Sequence, residues 1–279
     1  MASAPIRIPA DLERIELAPG QAALWWLGQA GFAMRVGGTT LLLDPFLAHH
    51  PDRLSPPPFA PEQATGVGAI LCTHEHIDYF DADSLPGLAA ASPDARVVVP
   101  TPLVPRTTAL GILPDRVIGA QPDEPFELDG VTIHPLPARH GVDVADAYNF
   151  GRELSDGLYR YLGYVVEANG LRVFHAGDTL ADEELEDRLA RLAPDVVLLP
   201  INGRDHYREA RNLVGNMDHR EAARFAVVVG AGLLVPMHYD MFAANLGYPA
   251  HLVDLVGRHY QGLSIAIPGR QRPLVCSSG

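Results

Sequence analysis

Short apolar segments recur along the whole chain, and each of them ends in glycine, proline, aspartate or histidine. Runs of this kind, bounded by turn-forming residues, are typical of half-buried or fully buried β-strands. They are AALWWLG, FAMRVGGTTLLLD, GVGAILCTH, RVVVP, DRVIG, GVTIHPLP, YLGYVVEANG, LRVFHAGD, DVVLLPING and GLLVPMH. The pattern therefore predicts a protein built mainly around β-sheets.

Helical segments lie between some of these strands and show apolar residues at helical spacing or cap residues at their start. They are DADSLPGLAAASP, LADEELEDRLARLAP, MDHREAARFAVVVGAG and YPAHLVDLVGRHY. Because strands cluster early in each half and helices follow, we predict an α+β (αββα) fold, a two-sheet sandwich with outer helices. Without an internal repeat or a compositional break, residues 1–279 are expected to form one domain.

Composition excludes several classes of function. The formal net charge of -13, from 21 basic and 34 acidic residues, disfavours a nucleic-acid surface, which depends on clustered Lys and Arg. No apolar stretch approaches the roughly 18 to 20 residues of a membrane span, and the N-terminus lacks the blocks of a secretory signal. We expect a cytoplasmic protein without a membrane partner, and the two cysteines, Cys72 and Cys276, do not suggest a disulfide framework.

Polar side chains follow five of the predicted strands at the point where each strand ends. They are His74 and His76, His140, Asp178, Asn202 and His238. If these strands lie side by side and point the same way, the side chains meet at one edge, as ligands of a divalent metal must. Alternate residues on an extended segment face one side, so His74 and His76 can both face one ion while Glu75 faces away.

A plainer interpretation exists for each residue taken alone. A single histidine at a strand end is most often a surface or hydrogen-bonded core residue, and an aspartate before threonine, such as Asp178, is usually a turn or helix cap. Asp44 either orients a ligand histidine or ends a strand in a turn. The spaced pair His74 and His76 is less easily explained in this way.

Eight segments, in order across nearly the whole chain, resemble the metallo-β-lactamase superfamily and, within it, the L-ascorbate-6-phosphate lactonase-like branch. They are WWLGQAGF, LLLDPF, THEHIDYFD, PARH, FHAGDT, LPINGRD, GNMDHREAARFA and VPMHYD. The resemblance implies an αββα sandwich with one or two metal ions at one edge and a metal-bound water or hydroxide as nucleophile. It also suggests a homo-oligomer.

The resemblance implies a ligand set for each ion. The first ion would be bound by His74, His76 and His140, and the second ion by Asp78, Asp178 and His238. Asp178 would bridge the two ions. Asp78, Asp178 and Asn202 are the predicted catalytic residues. Zinc and manganese are the expected metals, although histidine and carboxylate ligands also suit iron.

Tyr79 departs from the superfamily run HxHxDH, whose last histidine would bind the second ion. Tyrosine ligates a metal as phenolate, and its ordinary pKa of about 10 means that the metal itself must drive ionisation. Otherwise Tyr79 packs, or donates a hydrogen bond to ligand or substrate. We therefore hypothesise one well-occupied ion and a weak or absent second one.

Arginines after the Asn202 segment are candidates for binding an anionic substrate group, because the guanidinium fork suits phosphate or carboxylate. Arg204 is favoured, since the Asn-Gly turn directs it into the predicted site, whereas Arg208 fits a solvated helix face equally well. The segment Asp146–Arg152 is a candidate for substrate specificity because it lies in a long loop that contains aromatic residues.

These observations favour a metal-dependent hydrolase that acts on a lactone or phosphoester bond of a small anionic metabolite. Two alternatives remain open. One is a mononuclear iron-dependent oxygenase on the same fold. The other is a binding protein whose catalytic site has decayed at Tyr79, although the ligands retained at five other loop ends argue against decay.

Overall fold

The computed structural model describes residues 14–142 and 154–278. In these ranges two mixed β-sheets pack face to face, and helices cover their outer faces, which confirms the predicted αββα sandwich. Each of the predicted apolar segments contains at least one strand. The predicted specificity segment Asp146–Arg152 lies outside the described residues.

The first sheet has seven strands. They are β1 (Gln21–Gly28), β2 (Gly31–Val36), β3 (Thr39–Leu43), β4 (Ala69–Leu71), β5 (Arg96–Pro100), β6 (Val117–Ala120) and β16 (Leu274–Ser277). Their order across the sheet is β16-β1-β2-β3-β4-β5-β6. Strands β16 to β3 pair antiparallel, and β3 to β6 pair parallel.

The second sheet also has seven strands. They are β7 (Phe126–Leu128), β8 (Val131–Pro137), β11 (Leu162–Ala168), β12 (Leu171–His175), β13 (Val196–Pro200), β14 (Leu233–Met237) and β15 (Ser264–Ile265). Strands β12 to β15 are parallel, whereas β7, β8, β11 and β12 pair antiparallel in that order. Two further strands, β9 (Leu154–Ser155) and β10 (Leu158–Tyr159), form a separate hairpin.

The described helices are short. They are α1 (Leu85–Ala91), α2 (Val104–Ala109), α3 (Glu183–Leu192), α4 (His206–Glu209), α5 (His219–Val228) and α6 (Pro249–His259), with 3-10 turns at Pro61–Gln63, Thr101–Leu103, Pro114–Arg116 and Ala243–Asn245. The four predicted helices correspond to α1, α3, α5 and α6, and the caps Asp182 and Asp218 begin α3 and α5. Among the described helices, none has the length and apolar character needed to cross a membrane.

Alternation along β1 shows how the layers form. Leu24 and Trp26 belong to the core between the two sheets, whereas Trp25 belongs to the opposite apolar layer, which also contains Leu85 and Leu88 of α1. Successive strand residues point to opposite faces of a sheet, so this fully apolar strand is buried on both sides. Each such side chain contributes about 1.5–3 kcal/mol when it leaves water.

Strand direction brings the predicted site residues to one edge of the sandwich. Because β11 runs antiparallel to both β8 and β12, strands β8, β12, β13 and β14 all run the same way. The loops after these four strands carry His140, Asp178, Asn202 and His238, and the loop after β4 of the first sheet carries the two spaced histidines. The predicted convergence of strand ends is therefore observed.

Candidate metal centre

A cavity of about 680 Å³ opens at this edge of the sandwich. Most of the predicted site residues line it, namely His76, Asp78, His140, Asp178, Asn202, Arg208 and His238. His74 is buried beside the same cluster, so the cavity has a polar end built from histidines and carboxylates.

Four of these residues form a group that fits one metal ion. The ligand atoms of His74, His76, His140 and Asp178 all lie within 4.8 Å of one another. His74 Nε2 lies 2.9 Å from His76 Nδ1, and His140 Nε2 lies 3.3 Å from Asp178 Oδ2. Three imidazole nitrogens and one carboxylate suit zinc, manganese or iron.

His74 and His140 are neutral at ordinary pH. Burial is the main cause that lowers the pKa of His74 well below 6.5 and that of His140 to about 4. His140 Nδ1 lies 2.6 Å from the carbonyl oxygen of Gly215, which fixes the proton on Nδ1. The Nε2 lone pair of His140 is therefore directed at the ion position beside Asp178.

Asp178 is held as a carboxylate with its two oxygens in different roles. Burial raises its pKa, but His238, His140 and the hydrogen bond from Tyr79 together lower that pKa below 3.8. Oδ1 accepts hydrogen bonds from the Tyr79 hydroxyl and, at 2.8 Å, from Asn216 Nδ2. Oδ2 faces the histidines, so this oxygen is the one placed to bind the first ion.

Tyr79 is fully buried beneath the histidines, with its ring centroid 4.1 Å from that of His74. Burial, and then the charge of Asp178, raise the pKa of the Tyr79 phenol well above 10. Its hydroxyl donates to Asp178 Oδ1. This geometry favours the hydrogen-bonding role for Tyr79 over the phenolate role.

The predicted second-ion residues also lie close together, with His238 Nε2 at 3.7 Å from Asp78 Oδ2 and 3.4 Å from Asp178 Oδ1. The amide of Gln29 contacts this group, with Nε2 at 2.8 Å from Asp78 Oδ2 and 3.1 Å from His238 Nε2. Gln29 is not among the predicted site residues, because its segment is typical of a structural turn. A polar residue next to Gly28 in an apolar stretch was the available signal.

A line of amide side chains extends from Asp178 along the cavity. Asn216 Nδ2 donates to Asn202 Oδ1 at 3.0 Å, and Asn202 Nδ2 donates to Asn245 Oδ1 at 2.6 Å. Gly203 makes this possible, because a Cβ there would lie 1.8 Å from the Asn216 carbonyl oxygen. The predicted catalytic Asn202 is therefore linked to Asp178 through Asn216, which is not among the predicted site residues.

The predicted substrate arginines differ in placement. Arg208 lines the cavity but donates to Asp205 and to Asn245 Oδ1, whereas Arg204 donates to Glu221 at 2.9 Å on α5. In the described ranges the arginines that line the cavity are Arg208 and Arg106. Substrate-binding roles for Arg204 and Arg208 stay predictions.

Arg106 is the cavity arginine that sequence analysis missed. Its guanidinium lies 4.8 Å from the centroid of the Phe80 ring, and no carboxylate of the described residues lies within ion-pair distance of it. It is exposed on the short helix α2, for which the sequence shows no strong periodic pattern. Its charge is available to a group in the cavity.

Asp44 supports the metal group through Thr73. Its carboxylate accepts hydrogen bonds from Thr73 N at 2.7 Å and Thr73 Oγ1 at 2.9 Å, and lies 2.7 Å from His175 Nε2. Thr73 Oγ1 lies 3.1 Å from His74 Nδ1. Asp44 also has a positive φ of 44° directly after β3, so it ends the strand in a turn, and it contacts His74 through Thr73.

The low pKa of His140 predicts how the metal-free protein responds to acid. An unfolded histidine takes a proton near pH 6.5, whereas His140 in the folded chain does so at about 4. Stability should therefore fall as pH falls from about 6.5 to 4, by on the order of 3 kcal/mol from this group. Urea unfolding of chelator-treated protein at several pH values measures this, and an unchanged free energy of unfolding across the window would contradict it.

The sandwich and its edge cluster of three histidines and an aspartate define a metal-binding protein of the metallo-β-lactamase fold. Residues 39–239 match the model of the Beta-lactamase superfamily domain. A UPF0173 metal-dependent hydrolase of Thermococcus onnurineus is 30% identical over 240 residues, which cover 83% of this chain and 91% of that protein. The chain therefore belongs to the UPF0173 metal-dependent hydrolases of the β-lactamase superfamily.

Solved structures share the fold at lower identity. The isothiocyanate hydrolase from Delia radicum gut bacteria has a TM-score of 0.73 and 22% identity, covering 92% of this chain and 100% of that one. CmlA, a diiron β-hydroxylase from Streptomyces venezuelae, has a TM-score of 0.65 and 18% identity, covering 93% of this chain and 55% of that one. These likenesses concern the fold, and the lactonase-like branch stays a prediction.

Proposed function

We propose that this chain hydrolyses a lactone or phosphoester bond in a small anionic molecule, using one divalent ion held by His74, His76, His140 and Asp178. The observation that carries the proposal is the set of three imidazoles and one carboxylate at the polar end of a large cavity. When bound there, a zinc or manganese ion lowers the pKa of a water molecule and polarises the substrate oxygen.

Other side chains of the site are proposed to accept a proton and to position Asp178. Asp78 lines the cavity, and its Oδ2 is held by Gln29, so its carboxylate is the proposed proton acceptor for the attacking water. Asn216, fixed by Asn202, holds Asp178 in the orientation that turns Oδ2 toward the histidines. These contacts keep the reacting groups in place before the substrate arrives.

The hydrogen bonds at Asp178 support a site that binds one ion per chain. Its Oδ1, the oxygen that would bridge to a second ion, already accepts from Tyr79 and Asn216. Because Tyr79 stands where the family run has a histidine, Asp78 and His238 are the further ligands that the described residues offer to the second position. We therefore propose one zinc or manganese ion per chain.

An anionic substrate is supported by two arginines in the cavity lining, which also contains Glu75, Asp78 and Asp178. The chain as a whole carries a net charge of -13, yet Arg106 and Arg208 line this cavity. Arg208 is largely occupied by Asp205 and Asn245, which leaves Arg106 as the proposed contact for a phosphate or carboxylate group.

Elemental analysis of protein purified without added metal, combined with a substrate screen, tests this proposal. The screen pairs lactones and phosphoesters that carry a second anionic group with the same compounds lacking that group. We expect about one zinc or manganese ion per chain and hydrolysis that a chelator abolishes. Iron with substrate-linked oxygen uptake would instead favour the oxygenase, and absence of both metal and turnover would favour a binding protein.

Replacing Arg106 with alanine is expected to raise KM for the anionic substrate about tenfold while metal content stays unchanged. A charge-assisted hydrogen bond contributes about 1.5 kcal/mol or more, and about 1.4 kcal/mol corresponds to a factor of ten. Arg204→Ala tests the competing prediction for Arg204, which pairs with Glu221. Arg258→Ala is the matched control, because Arg258 pairs with Asp254 on α6 and does not line the cavity. Equal KM values for wild type and Arg106→Ala, or a rise confined to Arg204→Ala, would reject Arg106 as the contact.

The remaining expectations are further proposals. A cytoplasmic location and assembly into a homo-oligomer rest on composition and on the family resemblance. Sedimentation of the purified chain measures the second of these.

A further inference from the structure

The side chain of Gln29 lies between the two residues that a second ion would need in addition to Asp178. Its Nε2 is 2.8 Å from Asp78 Oδ2 and 3.1 Å from His238 Nε2. These two ligand atoms are only 3.7 Å apart. A cation that bound Asp78 and His238 together would therefore have to displace the amide.

The backbone holds Gln29 firmly in this place. The residue is fully buried in the turn between β1 and β2, and its carbonyl oxygen accepts from His238 N at 2.8 Å and Trp26 Nε1 at 3.0 Å. Its own N–H donates to Asp240 Oδ1 at 3.1 Å. Gln29 and His238 both have positive φ, of 54° and 56°, a backbone conformation that such fixed contacts maintain.

The chemistry of the amide explains its effect. An NH₂ group donates hydrogen bonds and has no lone pair for a cation, so it satisfies Asp78 without forming a metal site. Tyr79 and Asn216 do the same for Asp178 Oδ1. The three residues that would bind a second ion, Asp78, Asp178 and His238, thus already have hydrogen-bonding contacts within the chain.

We propose that Gln29 fills the second cation position with its amide and thereby restricts this chain to a single ion. The inference rests on the proposed function for the first ion, and it adds a residue that determines metal stoichiometry. It also assigns Gln29 a positioning role, since the same amide orients the Asp78 carboxylate that lines the cavity.

The test compares wild type with Gln29→Glu and Gln29→Ala, using Co²⁺ alone as the probe and elemental analysis after desalting as the readout. Gln29→Glu keeps the shape but replaces the NH₂ donor with a carboxylate ligand, so we expect the count to rise from one ion to two. Gln29→Ala removes the amide, and a second, weaker ion is expected in a Co²⁺ titration followed by calorimetry.

Two controls locate the added ion. Gln63→Glu introduces the same charge at an exposed site and should leave the count at one. Adding Asp78→Ala to Gln29→Glu should return the count from two to one. If Gln29→Glu does not fold, the titration of Gln29→Ala decides the question.

Several outcomes would overturn the inference. One is a Gln29→Glu count equal to wild type, and another is a Gln29→Ala titration that shows no added ion. A wild type with two ions that loses one in Gln29→Ala would show that Gln29 is a ligand instead. A wild type without any ion would refute the proposed function, whereas a gain of one ion in Gln29→Glu would still support the role of Gln29.

Discussion

Replacing His140 with alanine is expected to weaken metal binding by roughly a hundredfold to a thousandfold. Binding free energies at four-ligand zinc sites are about 10–16 kcal/mol, so one ligand in four contributes on the order of 2.5–4 kcal/mol. His140 is buried, and its Nε2 lies 3.3 Å from Asp178 Oδ2, so its removal takes one of the four ligand atoms from the cluster. Competition with a fluorescent chelator measures the affinity of each variant.

His134→Ala is the matched control for this experiment. His134 belongs to β8, the strand that precedes His140, but its Nε2 lies 3.0 Å from Glu167 and it does not line the metal cavity. We expect its metal affinity to equal that of wild type. Should His140→Ala keep wild-type affinity, the ion would have to bind away from the described cluster.

Replacing Asp44 with alanine is expected to lower the free energy of unfolding by about 3–5 kcal/mol. The substitution leaves three buried groups without their acceptor, namely Thr73 N–H, the Thr73 hydroxyl and the His175 ring. An unsatisfied buried donor costs about 1–3 kcal/mol, and breaking a buried polar cluster costs about 3–5 kcal/mol. Urea unfolding of the metal-free variant and wild type at one pH measures the difference.

Because Thr73 also contacts His74, Asp44→Ala should weaken metal binding as well, by about tenfold, the lower end of the effect for residues that orient metal ligands. Asp52→Ala, at a side chain that is 79% exposed, should change stability by less than about 0.5 kcal/mol. An Asp44→Ala variant as stable as Asp52→Ala would show that the buried network does not support the fold.

The layers of the fold and the edge at which the site lies could be predicted from the sequence. Each strand predicted from an apolar run is present, because burial on two faces leaves a continuous hydrophobic pattern that local sequence displays directly. The strands that were not predicted have two to four residues each, too few for a period to show; β9, β10 and β15 have two, β7 has three and β16 has four. The position of histidines at strand ends likewise follows from the chain order.

The side chains that complete the site could not be predicted, because they come together only in the folded chain. Gln29 contacts Asp78, which is 49 residues away in the sequence, and His238, which is 209 residues away. Asn216 contacts Asp178, which is 38 residues away. No local pattern encodes such contacts, because an amide looks the same in sequence whether it faces water or a carboxylate. Periodicity places a residue on a face of the fold, whereas its hydrogen-bond partner depends on how distant loops pack.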